Sequence, residues 1–161
     1  MLVGLGLKVW TIDVRDYEYK GVSTDLNSIK GDVRKTDFES NFFDVVTAVS
    51  TIEHVGLGRY GDQKDNDGDK ESVQEIRRIL KPNGTLFLTV PFGKRCITSS
   101  YRVYDKEGLE TLLSGFKIIK ADFFLANDKT WIKATEDQVT NKDCTAKEKA
   151  TACIQAAKLP F

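Results

Sequence analysis

Residues 42–58, FFDVVTAVSTIEHVGLG, constrain this chain more than any other stretch. Its first half is an apolar run carrying the β-branched residues Val45, Val46, Thr47 and Val49. That composition predicts a strand buried on both faces, as in a parallel sheet. The second half turns polar, with Ser50, Thr51, Glu53 and His54 followed by the loop residues Gly56 and Gly58. In open α/β sheets, ligands bind beyond the carboxyl ends of parallel strands. A hydrophobic strand that runs into hydroxyl, carboxylate and imidazole groups has the composition of a site edge, and His54 is the only histidine. Each of these residues also has an ordinary role open to it, core for the strand and capping for residues 50–54.

The chain has 161 residues, enough for one domain with a real core. Lys plus Arg and Asp plus Glu number 24 each, so no net field favours nucleic acid or an anionic membrane. There is no apolar run long enough to span a bilayer. The opening MLVGLGLKVW lacks the charged region and cleavage site of a signal peptide. Cys96, Cys144 and Cys153 form no CxxC pair, so no zinc site is expected. Free thiols in a reducing cytoplasm are expected instead.

Strands are predicted over residues 7–12, ending at Asp13, and over 28–30, followed by Gly31-Asp32. Further strands are predicted over 43–49, 85–90, 116–124 and 130–135. Val73, Ile76, Ile79 and Leu80 share one face of a predicted helix over 69–80, with Asp69 as its N-cap. Lys81-Pro82-Asn83-Gly84 ends that helix in a turn. Asp105 caps a short helix over 106–113, residues 94–102 are irregular, and the Lys- and Ala-rich residues 145–157 read as a terminal helix. Alternation of strand and helix implies a mostly parallel α/β sheet, with the 43–49 and 85–90 strands parallel and adjacent. Residues 126–129 are too few for a crossover, so the 116–124 and 130–135 strands form an antiparallel hairpin. No repeat or linker divides the chain, which is read as one domain.

Four segments resemble the class I S-adenosylmethionine-dependent methyltransferases, in particular the small type-11 domains. VWTID, ending at Asp13, is similar to the second strand. IKGDVRKTDF is similar to the segment carrying the adenine-side acid, here Asp32. FDVVTAVSTIEHV is similar to the fourth strand and the loop beside the methyl group, and EIRRILKPNGTLFLTVP to the helix, turn and fifth strand. The KPNG turn is the most specific of these, and the similarity spans residues 5–135. GLGRYGD with the DNDGD loop also resembles an uncharacterised family related to these methyltransferases.

The resemblance implies a Rossmann-like fold, S-adenosylmethionine as cofactor and a small-molecule acceptor. It implies that Asp13 and Val14 meet the cofactor ribose, that Asp32 accepts from the adenine amine, and that the Val33 N–H donates to a ring nitrogen. Ser50 lies by the cofactor and His54 is a candidate general base. Asp13 as a loop acid, Asp32 as a turn residue and His54 as a hydrogen-bonded loop histidine stay open beside these roles. Asp13, Asp32 and Ser50 are expected to face one cleft. Glu53 reads as a surface carboxylate or a partner of Arg59.

One departure is large. The family opens with a strand, a glycine-rich turn and a helix, and that turn lies about 20 residues upstream of the ribose acid. Here Asp13 is twelve residues from Met1, and residues 1–6 read as the end of the missing helix and its turn. The expectation is a domain truncated at its N-terminus, with the first strand missing. The gap then closes by re-pairing of the flanking strands, or a second copy or a partner completes the sheet, and cofactor binding is weak or absent. The alternative function is a non-catalytic remnant that binds a partner. A nucleotide-binding domain of the NAD type is a weaker reading, because of the hairpin. DQKDNDGD fails as a calcium loop: with Gly68 as the invariant glycine, Gln63 and Gln74 fall where carboxylates are essential. It reads as a solvated loop with a helix cap.

Overall fold

Parallel pairing sets the direction of the structure. The computed structural model describes residues 5–16, 26–127, 130–143 and 149–160. The first strands, β1 (Val9–Asp13) and β2 (Leu26–Lys30), pair in parallel from Val9↔Leu26 to Asp13↔Lys30. Next, β3 (Phe43–Val49) pairs in parallel with β4 (Leu80–Pro91), from Val45↔Thr85 to Val49↔Thr89. Helix α1 (Gly68–Ile79) makes the crossover between them, as the sequence predicts. The rest comprises β5 (Cys96–Ile97), β6 (Arg102–Val103), α2 (Lys106–Leu112), β7 (Phe116–Asn127), β8 (Thr130–Ala134), α3 (Glu136–Thr140) and β9 (Ala150–Lys158).

The main sheet has the order β3-β4-β9-β7-β8. Because β9 is antiparallel to both β4 and β7, β7 runs in the direction of β3 and β4. The expected antiparallel hairpin is present as β7–β8. This is the α/β, Rossmann-like architecture read from the sequence, with one reversed strand wedged into it.

That reversed strand corrects the predicted terminal helix. Residues 144–148, with Cys144, lie outside the described residues, but Ala150–Lys158 is a strand. Ala150, Ala152, Ile154 and Ala156 are buried while Thr151, Cys153, Gln155 and Ala157 between them are half-buried, a period of two. Alanine's helix propensity is a weak prior. It is overridden because β9 fills the slot between β4 and β7 and pairs along both edges.

A second correction concerns β3. It is an edge strand, with Val45 49% and Val49 64% exposed, and is not buried on both faces. Its inner residue Ala48 packs with Leu86, Leu88, Ile154, Val73, Ile76, Leu109 and Leu112 in the core. The alternate residues Val45, Val49 and Phe87 are exposed. Among the described residues, no strand pairs between β1 and β3; the β1–β2 pair is a separate sheet. An aromatic cluster spans this gap: Trp10 of β1 meets Phe42 and Phe43 edge-on at 5.4 and 5.6 Å, and Phe38 meets Phe43 at 4.7 Å.

The KPNG turn is a bulge at the start of β4. Phe43 pairs with Leu80 and Val45 already with Thr85, so residues 81–84 are extruded. Asn83 there takes φ 62°, which asparagine tolerates better than most residues. The residue before α1 is Asp67, so Asp69 lies inside the first turn instead of capping it, and it is buried. Asp105 does cap α2, accepting from the Gly108 N–H at 2.7 Å.

The loop entering β3 is tied to α1 by Glu75. Its Oε1 accepts from the Thr36 N–H at 2.8 Å, and Arg78 Nε donates to its Oε2 at 2.7 Å. The Arg78 guanidinium pulls the Glu75 carboxyl down from 4.5 to about 2. A carboxylate with a depressed folded pKa contributes stability above its ordinary pKa and loses it as pH falls through the folded value. Stability should therefore drop between pH 4.5 and about 2. Thermal melts across that window should show Glu75→Gln with a shallower drop than wild type; parallel curves would remove Glu75 from the account.

Candidate functional site

The carboxyl ends of β1, β2 and β3 meet at one loop. Asp13 ends β1, and its carbonyl accepts from the Gly31 N–H at 2.9 Å, which places Asp32 beside it. After β3 the chain passes Ser50, the short 3-10 turn Ile52–His54 and the loop 55–67. That loop reaches back to both acids' neighbours. The Arg15 guanidinium lies over the Tyr60 ring at 4.6 Å. Arg34 donates to the Gln63 carbonyl at 3.2 Å and sits 3.8 Å from the Asp65 carboxylate. Asp13, Asp32 and the polar end of β3 are thus brought to one end of the structure.

Both acids are already engaged. Arg15 Nη2 donates to Asp13 Oδ2 at 3.0 Å, and Arg34 Nη2 to Asp32 Oδ2 at 2.6 Å. These hydrogen bonds hold both carboxyls below the usual range. Val14 and Val33 are the middle residues of the two tight turns, each closed by the following arginine's N–H on the aspartate. Ser50 has φ 47°, unusual for a non-glycine residue, and its N–H donates to Thr89 Oγ1 at 2.9 Å.

His54 is largely buried, with 19% of its side chain exposed. Its Nδ1 meets the Ser100 carbonyl, which can only accept, so Nδ1 is the donor and Nε2 is left for other partners. Nε2 is 3.6 Å from Glu53 Oε1, and the ring meets Tyr60 edge-on at 5.6 Å. Glu53 corrects its sequence reading: it is 3% exposed, not a surface carboxylate, and burial pushes its carboxyl up. Its Oε2 has no hydrogen-bond partner among the described residues.

Three buried residues carry the site's shape: Asp69, which the sequence offered only as a helix cap, and Arg102 and Tyr104, which it did not single out. Arg102 donates to the carbonyls of Val55 at 2.6 Å and of Asp65 and Asn66 at 3.2 Å, closing both ends of the loop. Its Nε lies 3.6 Å from Asp69 Oδ2, which also accepts from the Tyr104 hydroxyl at 2.7 Å. Burial and the Asp69 charge push the Tyr104 phenol up. Asp62 accepts from the N–H groups of Gly56, Gly58 and Tyr60. The acidic loop is therefore folded on its own carboxylate, not simply solvated. The sequence signal available for Arg102 was its place in the apolar run YRVY.

The fold has counterparts among solved structures. It is a class I methyltransferase-like fold. An S-adenosylmethionine-dependent methyltransferase from Methanosarcina mazei is similar over 99% of this chain and 86% of its own, with TM-score 0.66 and 14% identity. The Burkholderia thailandensis 1,6-didemethyltoxoflavin-N1-methyltransferase, solved with S-adenosylhomocysteine, has TM-score 0.65 at 13% identity, over 98% of this chain and 64% of its own. The [4+2]-cyclase SpnF has TM-score 0.58 at 16% identity, over 88% of this chain and 59% of its own. At such identities the likeness is one of fold. No curated protein matches the sequence. Residues 6–157 match the DUF268 family, described as Caenorhabditis protein of unknown function, and the chain belongs to that family.

Two substitutions probe the buried cluster. Arg102→Ala should cost about 3–5 kcal/mol in urea unfolding, because it strands Asp69 and three carbonyls; a loss under about 1 kcal/mol would contradict the staple. Glu53 has a raised folded pKa, so the folded state binds more protons than the unfolded one above pH 4.5 and stability falls as pH rises there. Glu53→Gln should therefore raise the melting temperature more at pH 7 than at pH 4, and an equal effect at both would refute the buried-carboxyl account.

Proposed function

We propose that this chain is a single methyltransferase-like domain that serves the transfer of a methyl group from S-adenosylmethionine to a small-molecule acceptor. The observation that carries this reading is the meeting of Asp13, Asp32 and the end of β3 at the loop 55–67. The fit of the adenosine half is chemical: two ionised, partly exposed carboxylates at adjacent strand ends, each able to accept from hydroxyl or amine donors. Asp13, with Val14, takes the ribose diol. Asp32 takes the adenine amine, and the Val33 N–H donates to a ring nitrogen. When bound, the cofactor supplies an electrophilic methyl group. Ser50 stands at that end of the cleft. His54, with Nδ1 held by Ser100, takes the acceptor's proton on Nε2. Alignment of donor and acceptor does the rest.

Among the described residues β3 is an edge strand, which supports a partner for this domain. A strand from a second copy or another chain would pair there and complete the sheet. A cytoplasmic location fits the free thiol of Cys153. Among the described residues no helix is long and apolar enough to cross a membrane. A second reading is a non-catalytic module that keeps the fold and binds a partner. The arginines already seated on Asp13 and Asp32 favour it, and SpnF is a neighbour whose name is not that of a methyltransferase.

Titration calorimetry with S-adenosylmethionine and S-adenosylhomocysteine separates the readings. The chain should bind weaker than micromolar, since no glycine-rich strand-turn-helix lies among the described residues. Asp13→Asn should weaken that binding about ten- to a hundredfold, the worth of hydrogen bonds to a charged group. Micromolar binding would show that residues 1–6 supply more than assigned to them. Binding unchanged in Asp13→Asn would remove the cofactor assignment.

A further inference from the structure

A cavity of about 450 Å³ borders the amino ends of β3 and β4, at the other end of these strands from Ser50 and His54. That volume lies in the range of small-molecule pockets. Its polar wall consists of donors. Lys158, at the end of β9, is 4% exposed. Its Nζ donates to Asn41 Oδ1 at 2.8 Å and to the Leu80 carbonyl at 2.7 Å. An ammonium has three N–H groups, so one is left over. Both partners are neutral, and no carboxylate pairs with Lys158 among the described residues. Burial, with the Arg77 charge beside it, lowers the Lys158 pKa, the direction expected of a cation without a counter-ion.

The neighbours of Lys158 are turned the same way. With Asn41 Oδ1 on Lys158, the Asn41 side-chain nitrogen is the group left to donate. Asn41 is held at φ 60°, its N–H on the Arg78 carbonyl at 3.0 Å. Backbone conformations of this kind persist where the surroundings enforce them, often at ligand sites. Ser40 Oγ accepts from Arg78 Nη1 at 3.2 Å, which leaves its hydroxyl hydrogen. The charge of Arg78 is answered by Glu75 at 2.7 Å, whereas that of Lys158 is not. Among the described residues no Asp or Glu lines the cavity, and Pro82 and Leu159 give it an apolar side. The carboxyl end of α1 would repel an anion. Its last carbonyls, however, are taken by the Asn41 N–H, the Phe42 N–H and Lys158.

We propose that this cavity is a second ligand site, separate from the adenosine end, and that its ligand is a small organic anion. The carboxylate or phosphoryl head meets Lys158, Asn41 and Ser40, and the apolar body lies against Pro82 and Leu159. A charge-assisted hydrogen bond from Lys158 is the strongest contact. It supplies the counter-ion that this buried ammonium lacks.

Calorimetry and a nuclear magnetic resonance titration test this with phenyl phosphate, benzoate, inorganic phosphate and acetate as probes. Phenyl phosphate or benzoate should bind wild type and shift the amides of residues 40, 41, 74 and 158, while those of 13–15 and 32–34 stay in place. The tighter of the two names the head group. Inorganic phosphate and acetate should bind less tightly, because they leave the apolar side untouched. Asn41→Asp replaces a donor by a carboxylate set against Lys158 and should weaken binding about tenfold or more, the worth of a hydrogen bond to a charged group. Lys158→Met should abolish binding; Asn41→Asp keeps the Lys158 contact and decides the matter even where Lys158→Met does not fold. No binding by wild type at millimolar concentration, unchanged binding in Asn41→Asp, or shifts confined to other residues overturns the site. Inorganic phosphate and acetate bound as tightly as the aromatic probes overturn the assignment of an organic ligand.

Discussion

The buried guanidinium of Arg102 reaches the carbonyls of Val55, Asp65 and Asn66 and the carboxylate of Asp69, and this set of contacts gives the loop 55–67 its shape. Taking such a charge out of water costs several kcal/mol and is tolerable only with partners on most sides. Those partners are the two ends of the loop and the first turn of α1. Close packing follows from the closure. A Cβ on Gly56 would lie 2.2 Å from the Asp65 carbonyl oxygen, and Gly56 itself has φ 80°. The outer edge of the loop then presents Tyr60 to Arg15 and the Gln63 carbonyl to Arg34. Without the staple, the ends of β1 and β2 lose the element that joins them to β3.

The sheet has its own constraint, the small side chains of β9. Ala152, Ile154 and Ala156 bury one face of that strand while both its edges are paired. The reversed strand lets β7 lie in the direction of β4, so the described helices pack one face of a continuous sheet. On the other side of β4 the order ends at β3, and an aromatic cluster built from Trp10, Phe38, Phe42 and Phe43 substitutes for strand pairing to the β1–β2 unit. Among the described residues, hydrophobic contact and not strand pairing joins the two units.

The β3–α1–β4 unit was legible because three signals agree there: an apolar run, a helical period through Val73, Ile76 and Ile79, and a turn that only a bulge or loop can use. Asp13 and Asp32 were legible as strand-end acids, and the structure places them together. Their arginine clasps were also present in the sequence, as a repeated tripeptide, but short repeats carry no conformation until the turn is seen. β9 was misread because alanine and lysine favour helices locally, while its partners lie elsewhere in the chain. Glu53 read as a surface charge, Asp69 as a helix cap, and Arg102 as part of an irregular stretch. Burial of a charge is decided by which distant groups surround it, and no local pattern encodes that.

A nuclear magnetic resonance titration with adenosine tests the central claim most directly, since it maps weak contacts residue by residue. The account predicts amide shifts at residues 13–15 and 32–34 and around Tyr60, the strand ends joined by the Arg102-stapled loop. At the amino ends of β3 and β4 lies a cavity of about 450 Å³, lined in part by Asn41, Arg77 and Lys158. Shifts confined to that cavity, or none at Asp13 and Asp32, would contradict the account.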